Sequence, residues 1–293
     1  MKAGYKLFAR LNLPDKATLF YAVFTFIFIL IFSNKLENIL PHLVFRIGVF
    51  AMIFCFPLVN EKFPNYLFSL LRNFYPIFLL SYWYGETAFM NTAIFDKFDP
   101  LMAQLDERIF GFQPSIEFSA AFPQAWFSEI IHFGYFSYYF LTVLTCLLIY
   151  LFNQKYFERT VFIVTASFFL YYLIFIFFPV EGPQFYFFPD NVHVPPGYLF
   201  DKGVQMAQQM GEAPTGAFPS SHVGMSIIFL ILLYKYYRKA FFITIPLTVI
   251  LCFATVYIKA HYFVDVIAGF ISAPLIYLIM DKLYRMNKKN DSG

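Results

Sequence analysis

The chain reads as an all-α, polytopic membrane helix bundle of about eight transmembrane helices, and three observations predict it. Of 293 residues 60% are hydrophobic and only 13% charged, where an ordinary soluble domain carries about 25% charge. Mean hydropathy is +0.62. The apolar residues also gather into runs near the ~20 residues that cross ~30 Å of hydrocarbon.

Taken in order, the expected spans are 17–33, 43–59, 66–84, 129–152, 160–179, 222–237, 240–258 and 261–281. The first follows a basic stretch, as in a signal peptide, but it is long and no small-x-small cleavage site follows it, so it is read as a helix. The third is interrupted by Arg72 and Pro76, and the sixth is short. Pro41, Pro57, Pro64, Pro179 and Gly182-Pro183 fall at or near the proposed ends, where helix breakers belong.

Basic residues orient the bundle. With both termini inside, inner segments carry fourteen Lys and Arg and outer segments five, namely Lys35, Lys97, Arg108, Lys202 and Lys259. Arg46 and Arg72 lie within spans. This positive-inside imbalance places both termini in the cytoplasm. It also accounts for the net charge of +3 without nucleic acid as a partner. Cys55, Cys146 and Cys252 all lie within spans and imply no disulfide framework. Abundant Phe, Tyr, Ile and Lys suggest an AT-rich bacterial genome and an inner-membrane location.

Two outer segments are long. In 85–128 the residues Leu101, Met102, Leu105, Ile109 and Phe112 recur at helical spacing opposite Asp106, Glu107 and Arg108. This fits a short amphipathic helix, either in the membrane interface or packed on the bundle. Segment 180–221, rich in Pro, Gly and aromatics, leads into the sixth span.

Ionisable groups next to hydrocarbon-length runs are functional candidates by default. Two motifs supply them at outer helix mouths: Phe218-Pro219-Ser220-Ser221-His222 and His261-Tyr262-Phe263-Val264-Asp265. His261 and Asp265 are four apart and share a helix face. A carboxylate on one imidazole nitrogen leaves the other basic, suited to attack. Ser220 and Ser221 open a helix whose free N–H groups and dipole favour an anion, and His222 beside them can act as a general acid. Taken singly, the first motif is also a plain helix cap and the second a structural hydrogen bond. Two histidines and an aspartate could also ligate zinc or iron, but no dense ligand motif such as HExxH is present. His42, His132 and His193 are read as structural.

Together, Pro219-Ser220-Ser221-His222 and the pair His261 and Asp265, 39 residues further on, resemble the second and third signatures of the type 2 phosphatidic acid phosphatase/haloperoxidase superfamily. The resemblance covers roughly residues 160–281. It implies a six-helix, phosphatase-like core within 66–281, including outer loops 85–128 and 180–221. Residues 1–65 would add a tail and two helices, and 282–293 a cytoplasmic tail. It also implies His261 as phosphoryl-accepting nucleophile, Asp265 as its orienting partner and His222 as acid, with phosphate held by Ser220 and the amides of Ser221 and His222. No metal or organic cofactor is expected.

The family's KxxxxxxRP signature is replaced by Phe178-Pro179-Val180-Glu181-Gly182-Pro183-Gln184, and its third-signature Ser-Arg by Ala254-Thr255. Arginine's fork grips phosphate better than neutral groups do, and a singly charged diester would need it less. Lys259 is a candidate substitute cation, or an interfacial lysine that snorkels. Gln184 could donate to a phosphate oxygen, whereas Glu181 would repel one. Pro-x-x-x-Pro-Gln and His-Tyr-Phe-Val-Asp are closest in pattern to the inositol phosphorylceramide synthase-like branch.

The expected function is therefore an integral membrane lipid-phosphate phosphatase facing periplasm, lumen or exterior and acting through a phosphohistidine. The alternative is a phospho-head-group transferase with a lipid alcohol as acceptor. A transporter or a catalytically silent scaffold is the reading from another class.

Overall fold

The computed structural model describes residues 8, 10–63, 65–188 and 193–291; Lys2, Lys6 and Pro64 lie outside the described residues. The described residues are helical with no strand. The helices are α1 Leu13–Ile31, α2 Ile39–Lys62, α3 Tyr66–Phe78, α4 Leu80–Met90, α5 Asp99–Phe110, α6 Pro114–Ala121 and α7 Ala125–Phe152. After them come α8 Phe157–Phe177, α9 Pro183–Tyr186, α10 Phe200–Gly211, α11 Ser221–Tyr236, α12 Arg238–Tyr257 and α13 Phe263–Asp291.

Among the described residues six helices, α1, α2, α7, α8, α12 and α13, are long and apolar enough to cross a membrane. The chain thus has the makeup of an integral membrane protein. The expected third span is built differently. Pro76, which has no N–H to give the helix, precedes a break at Leu79, and helix resumes as α4 through Met90. Backbone bonds from Leu79 to Tyr75 and from Trp83 to Leu79 bridge the break. The expected sixth span is α11, of 16 residues. α1 begins four residues before expectation because Asn12 and Asp15 close a reciprocal capping box over its first turn.

α8 is the central helix: fifteen of its 21 residues are buried, against α1, α3, α4, α7, α11 and α13. α11 packs between α12, α13 and α7. The N-terminal helices join this bundle through α1 on α8 and α2 on α1.

Each arginine within the expected spans meets a carboxylate from another helix. Arg46 makes a two-pronged pair with Glu86 at 2.6 and 2.8 Å, and His42 reaches the same carboxylate. Arg72 pairs with Asp15 at 2.9 Å, which also accepts the Tyr75 hydroxyl. Breaking such a buried pair by removing one partner costs about 3–5 kcal/mol.

α5 packs on the bundle. Its buried face carries Asp99, Met102, Ala103 and Asp106, while Leu101 and Ile109 are exposed. Asp106, expected on the solvent side, faces inward because its carboxylate has two backbone N–H groups to accept.

Candidate active site

Both sequence motifs meet at one end of the bundle. The segment leading to the first is strapped down from two sides. The Thr215 hydroxyl lies 3.0 Å from that of Thr87 on α4, and the Ala217 N–H donates to the Val180 carbonyl at 3.1 Å. Ser220 then caps α11, its hydroxyl accepting the Val223 N–H. The Ser220 N–H donates to the Asp265 carbonyl at 3.0 Å, which joins the first motif to the second.

The second motif is shaped by α5 and by the turn at 181–184. Asp99 accepts the N–H groups of Glu181 and Gly182, both at 2.9 Å, and the Tyr262 hydroxyl at 3.1 Å. Gly182 has φ +101, and a Cβ there would stand 2.5 Å from the Ala260 carbonyl, so only glycine fits. Asp106 accepts the N–H groups of Phe263 and Val264 at 2.8 and 3.0 Å and so caps α13. Burial raises both carboxyls, Asp99 and Asp106, above the usual carboxylate range.

These constraints bring the two histidines together: His222 Nδ1 lies 3.1 Å from His261 Nε2. The opposite nitrogen of His261, Nδ1, lies 2.7 Å from the Ala217 carbonyl. A carbonyl only accepts, so the proton of neutral His261 is on Nδ1 and the lone pair on Nε2. His222 Nδ1 is then the donor between the rings. His261 is buried, and burial pulls it down to about 4 against the opposing Ala217 bond and Glu212 charge. It is neutral at pH 7.

Asp265, expected to orient His261, stands 3.6 Å from Nδ1. That is beyond hydrogen-bond range, and Ala217 makes the bond instead. One Asp265 oxygen accepts the Tyr262 N–H at 2.8 Å; the other is buried without a partner.

The side chains of Lys259 and Gln184 turn elsewhere. Lys259 is buried in a left-handed conformation (φ +65), and its ammonium donates to Ser119 on α6 at 2.6 Å. Burial lowers it to about 8. The Gln184 N–H donates to the Lys259 carbonyl, and its side-chain amide donates to Glu212 at 2.6 Å. Glu181 pairs with Lys97.

A cavity of about 610 Å³ opens from Ser221 and His222. Tyr135 and Tyr138 flank the His222 ring at 5.0 and 4.4 Å. Phe78 and Phe140 also line its wall and are exposed on the bundle's outer surface.

A family model described as the PAP2 superfamily matches residues 102–279, from within α5 into α13, and takes in both histidine motifs. The chain belongs to the PAP2 superfamily. No curated protein and no solved structure matches it. Membership fits a membrane phosphatase- or phosphotransferase-type protein. Within this member, the sequence carried no pattern for Ala217, whose contribution is a backbone atom. Glu212 stands alone in a loop, and only the fold brings it to the cavity.

Proposed function

We propose that this PAP2 superfamily protein is an integral membrane lipid-phosphate phosphatase acting through a phosphohistidine. The observation that carries the reading is the hydrogen-bond relay from His222 through His261 to Ala217. It leaves a lone pair on the nitrogen that would attack and sets a donor beside it.

The substrate phosphorus enters between the rings, where Nε2 of His261 forms the N–P bond as the ester P–O bond breaks. An anion arriving beside His222 favours its imidazolium form, which gives its proton to the departing oxygen. Water then attacks phosphohistidine, with His222, now neutral, accepting the proton. Ser220 and the amides opening α11 receive phosphate oxygens. Phe78 and Phe140 line the cavity and are also exposed on the outside of a bundle with membrane-length apolar helices, which supports an amphiphilic substrate.

In this reading α3 with α4 and the short α11 complete eight crossings. Both termini are cytoplasmic, and the site is extracytoplasmic, in a bacterial inner membrane. The cavity's tyrosine and phenylalanine walls favour a second reading, transfer to a lipid alcohol as in the inositol phosphorylceramide synthase-like branch. The deciding experiment presents purified protein and His261→Ala with lipid mono-, pyro- and diester phosphates, with and without ceramide or diacylglycerol. Free phosphate that requires His261 supports hydrolysis. A new phospholipid that appears only with acceptor moves the protein to the transferases. Turnover that survives His261→Ala overturns both.

A further inference from the structure

The cavity beside His222 has an unusual charge for a phosphate site. Among the described residues its walls include the carboxylate of Glu212 and no lysine or arginine. Glu212 makes no ion pair among the described residues. Its side-chain partners are the amides of Gln184, at 2.6 Å, and Gln208, both neutral donors. An anionic phosphate with no other charge would be repelled by it, while an ionised carboxylate in such a setting lacks a counter-charge.

The same walls carry Tyr84, Tyr135, Tyr138 and Tyr139. Tyrosine rings present negative π-faces, which attract cations, quaternary ammonium groups above all. A carboxylate and four phenols around one cavity therefore form a seat for positive charge in the cavity that Ser221 and His222 also line.

We infer that Glu212 and the tyrosines of this cavity bind the ammonium of a zwitterionic phospho-head-group, such as a phosphocholine or phosphoethanolamine ester, with its phosphate against His222 and His261. The inference rests on His261 as the phosphate-attacking group and names the substrate class for that site. It also gives the missing arginines a physical account: the head-group brings its own cation, and the diester phosphate carries a single charge. A neutral polyol head-group would hydrogen-bond to Glu212 yet leave its charge unpaired, and an acidic one would add repulsion. Burial holds Glu212 above the usual carboxylate range, and a bound cation would bring it back down.

The test uses the full chain carrying His261→Ala, in phospholipid-free detergent, so that binding is read without turnover. Phosphocholine, phosphoethanolamine, glycerol 3-phosphate and inositol 1-phosphate are titrated and followed by calorimetry. The two cationic probes are expected to bind at least tenfold more tightly than the others. Adding Glu212→Gln should erase that preference while glycerol 3-phosphate binds as well or better, which also shows that the variant is folded. Four equal affinities, tightest binding of inositol 1-phosphate, equal weakening of all four by Glu212→Gln, or no phosphocholine binding at millimolar concentration would each overturn the assignment. Turnover by the protein with His261 intact separates the two proposals. Cation preference without His261-dependent turnover removes the phosphohistidine reading and leaves the subsite. His261-dependent turnover without cation preference removes only the subsite.

Discussion

Asp106 accepts the backbone N–H of Phe263 at 2.8 Å, so a side chain from an outer helix closes the first turn of the helix that carries Asp265. The neighbouring Val264 N–H is held by the other carboxylate oxygen. Asp106→Asn keeps one acceptor of the two and should destabilise the protein by about 1–2 kcal/mol, the range for loss of a helix cap. Thermal unfolding in detergent reads this directly. An unchanged midpoint would mean that α13 needs no cap from α5.

Replacing the two histidines should have unequal effects. His261→Ala removes the attacking atom and should abolish turnover. His222→Ala should slow it by ~10²–10⁴, the usual contribution of a general acid. Substrates with more acidic leaving alcohols should lose less in the second variant, because their departing oxygen needs no proton. Equal losses across leaving groups would place His222 outside proton transfer.

Asp265→Asn should be milder than His261→Ala, on the order of 10-fold, since Ala217 already fixes the ring tautomer. Steady-state rates of the two variants on one substrate make the comparison. If Asp265→Asn matches His261→Ala, the 3.6 Å gap between Asp265 and His261 must close when substrate binds.

The low value of His261, about 4, sets two pH dependences. Its lone pair is available at all pH values above that, so its own protonation should reduce turnover only as pH falls toward 4. Stability moves earlier. The unfolded chain protonates this histidine near 6.5, above the folded value, so unfolding takes up a proton between about 6.5 and 4. The stability His261 contributes is complete above 6.5 and is lost as pH falls through that window. Unfolding midpoints of wild type and His261→Gln from pH 8 to 4 should converge on the acidic side; a constant difference would count against it.

Lys259 and Ser119 should behave as one unit. Lys259→Met leaves the Ser119 hydroxyl without its donor, and Ser119→Ala leaves the ammonium buried without an acceptor, at about 1–3 kcal/mol or more for the charge. The double variant should be less destabilised than the sum of the single ones. Strict additivity in a double-mutant cycle would show that the 2.6 Å contact contributes nothing.

The helical membrane architecture was legible because it rests on composition and run length, which are local properties. The spacing of Ser220, His222, His261 and Asp265 was legible too, as a pattern in one dimension. What was not legible came from atoms without side-chain identity or from distant segments. The Ala217 carbonyl took the bond expected of Asp265. Asp106 read as the polar side of a surface helix because the two backbone donors it accepts lie more than 150 positions away. The break at Leu79 had a signal in Pro76, but the continuation to Met90 is set by packing of α4 on α8.

The pairing of Arg46 with Glu86 bears on how the chain enters its membrane. In the eight-crossing reading each residue alone would take an unmatched charge into hydrocarbon, at roughly +2.5–3.5 kcal/mol for a cation at the centre of a span. Segment 66–90, split at Leu79, is a poor candidate for partitioning by itself. Together, α2 and α4 present the bilayer with a neutral pair. The expected consequence is co-insertion: chains ending before Glu86 should leave α2 only weakly retained, and Arg46→Leu should restore it, as glycosylation mapping of truncated chains would report. The N-terminal region would then be a hairpin whose two arms make each other soluble in lipid.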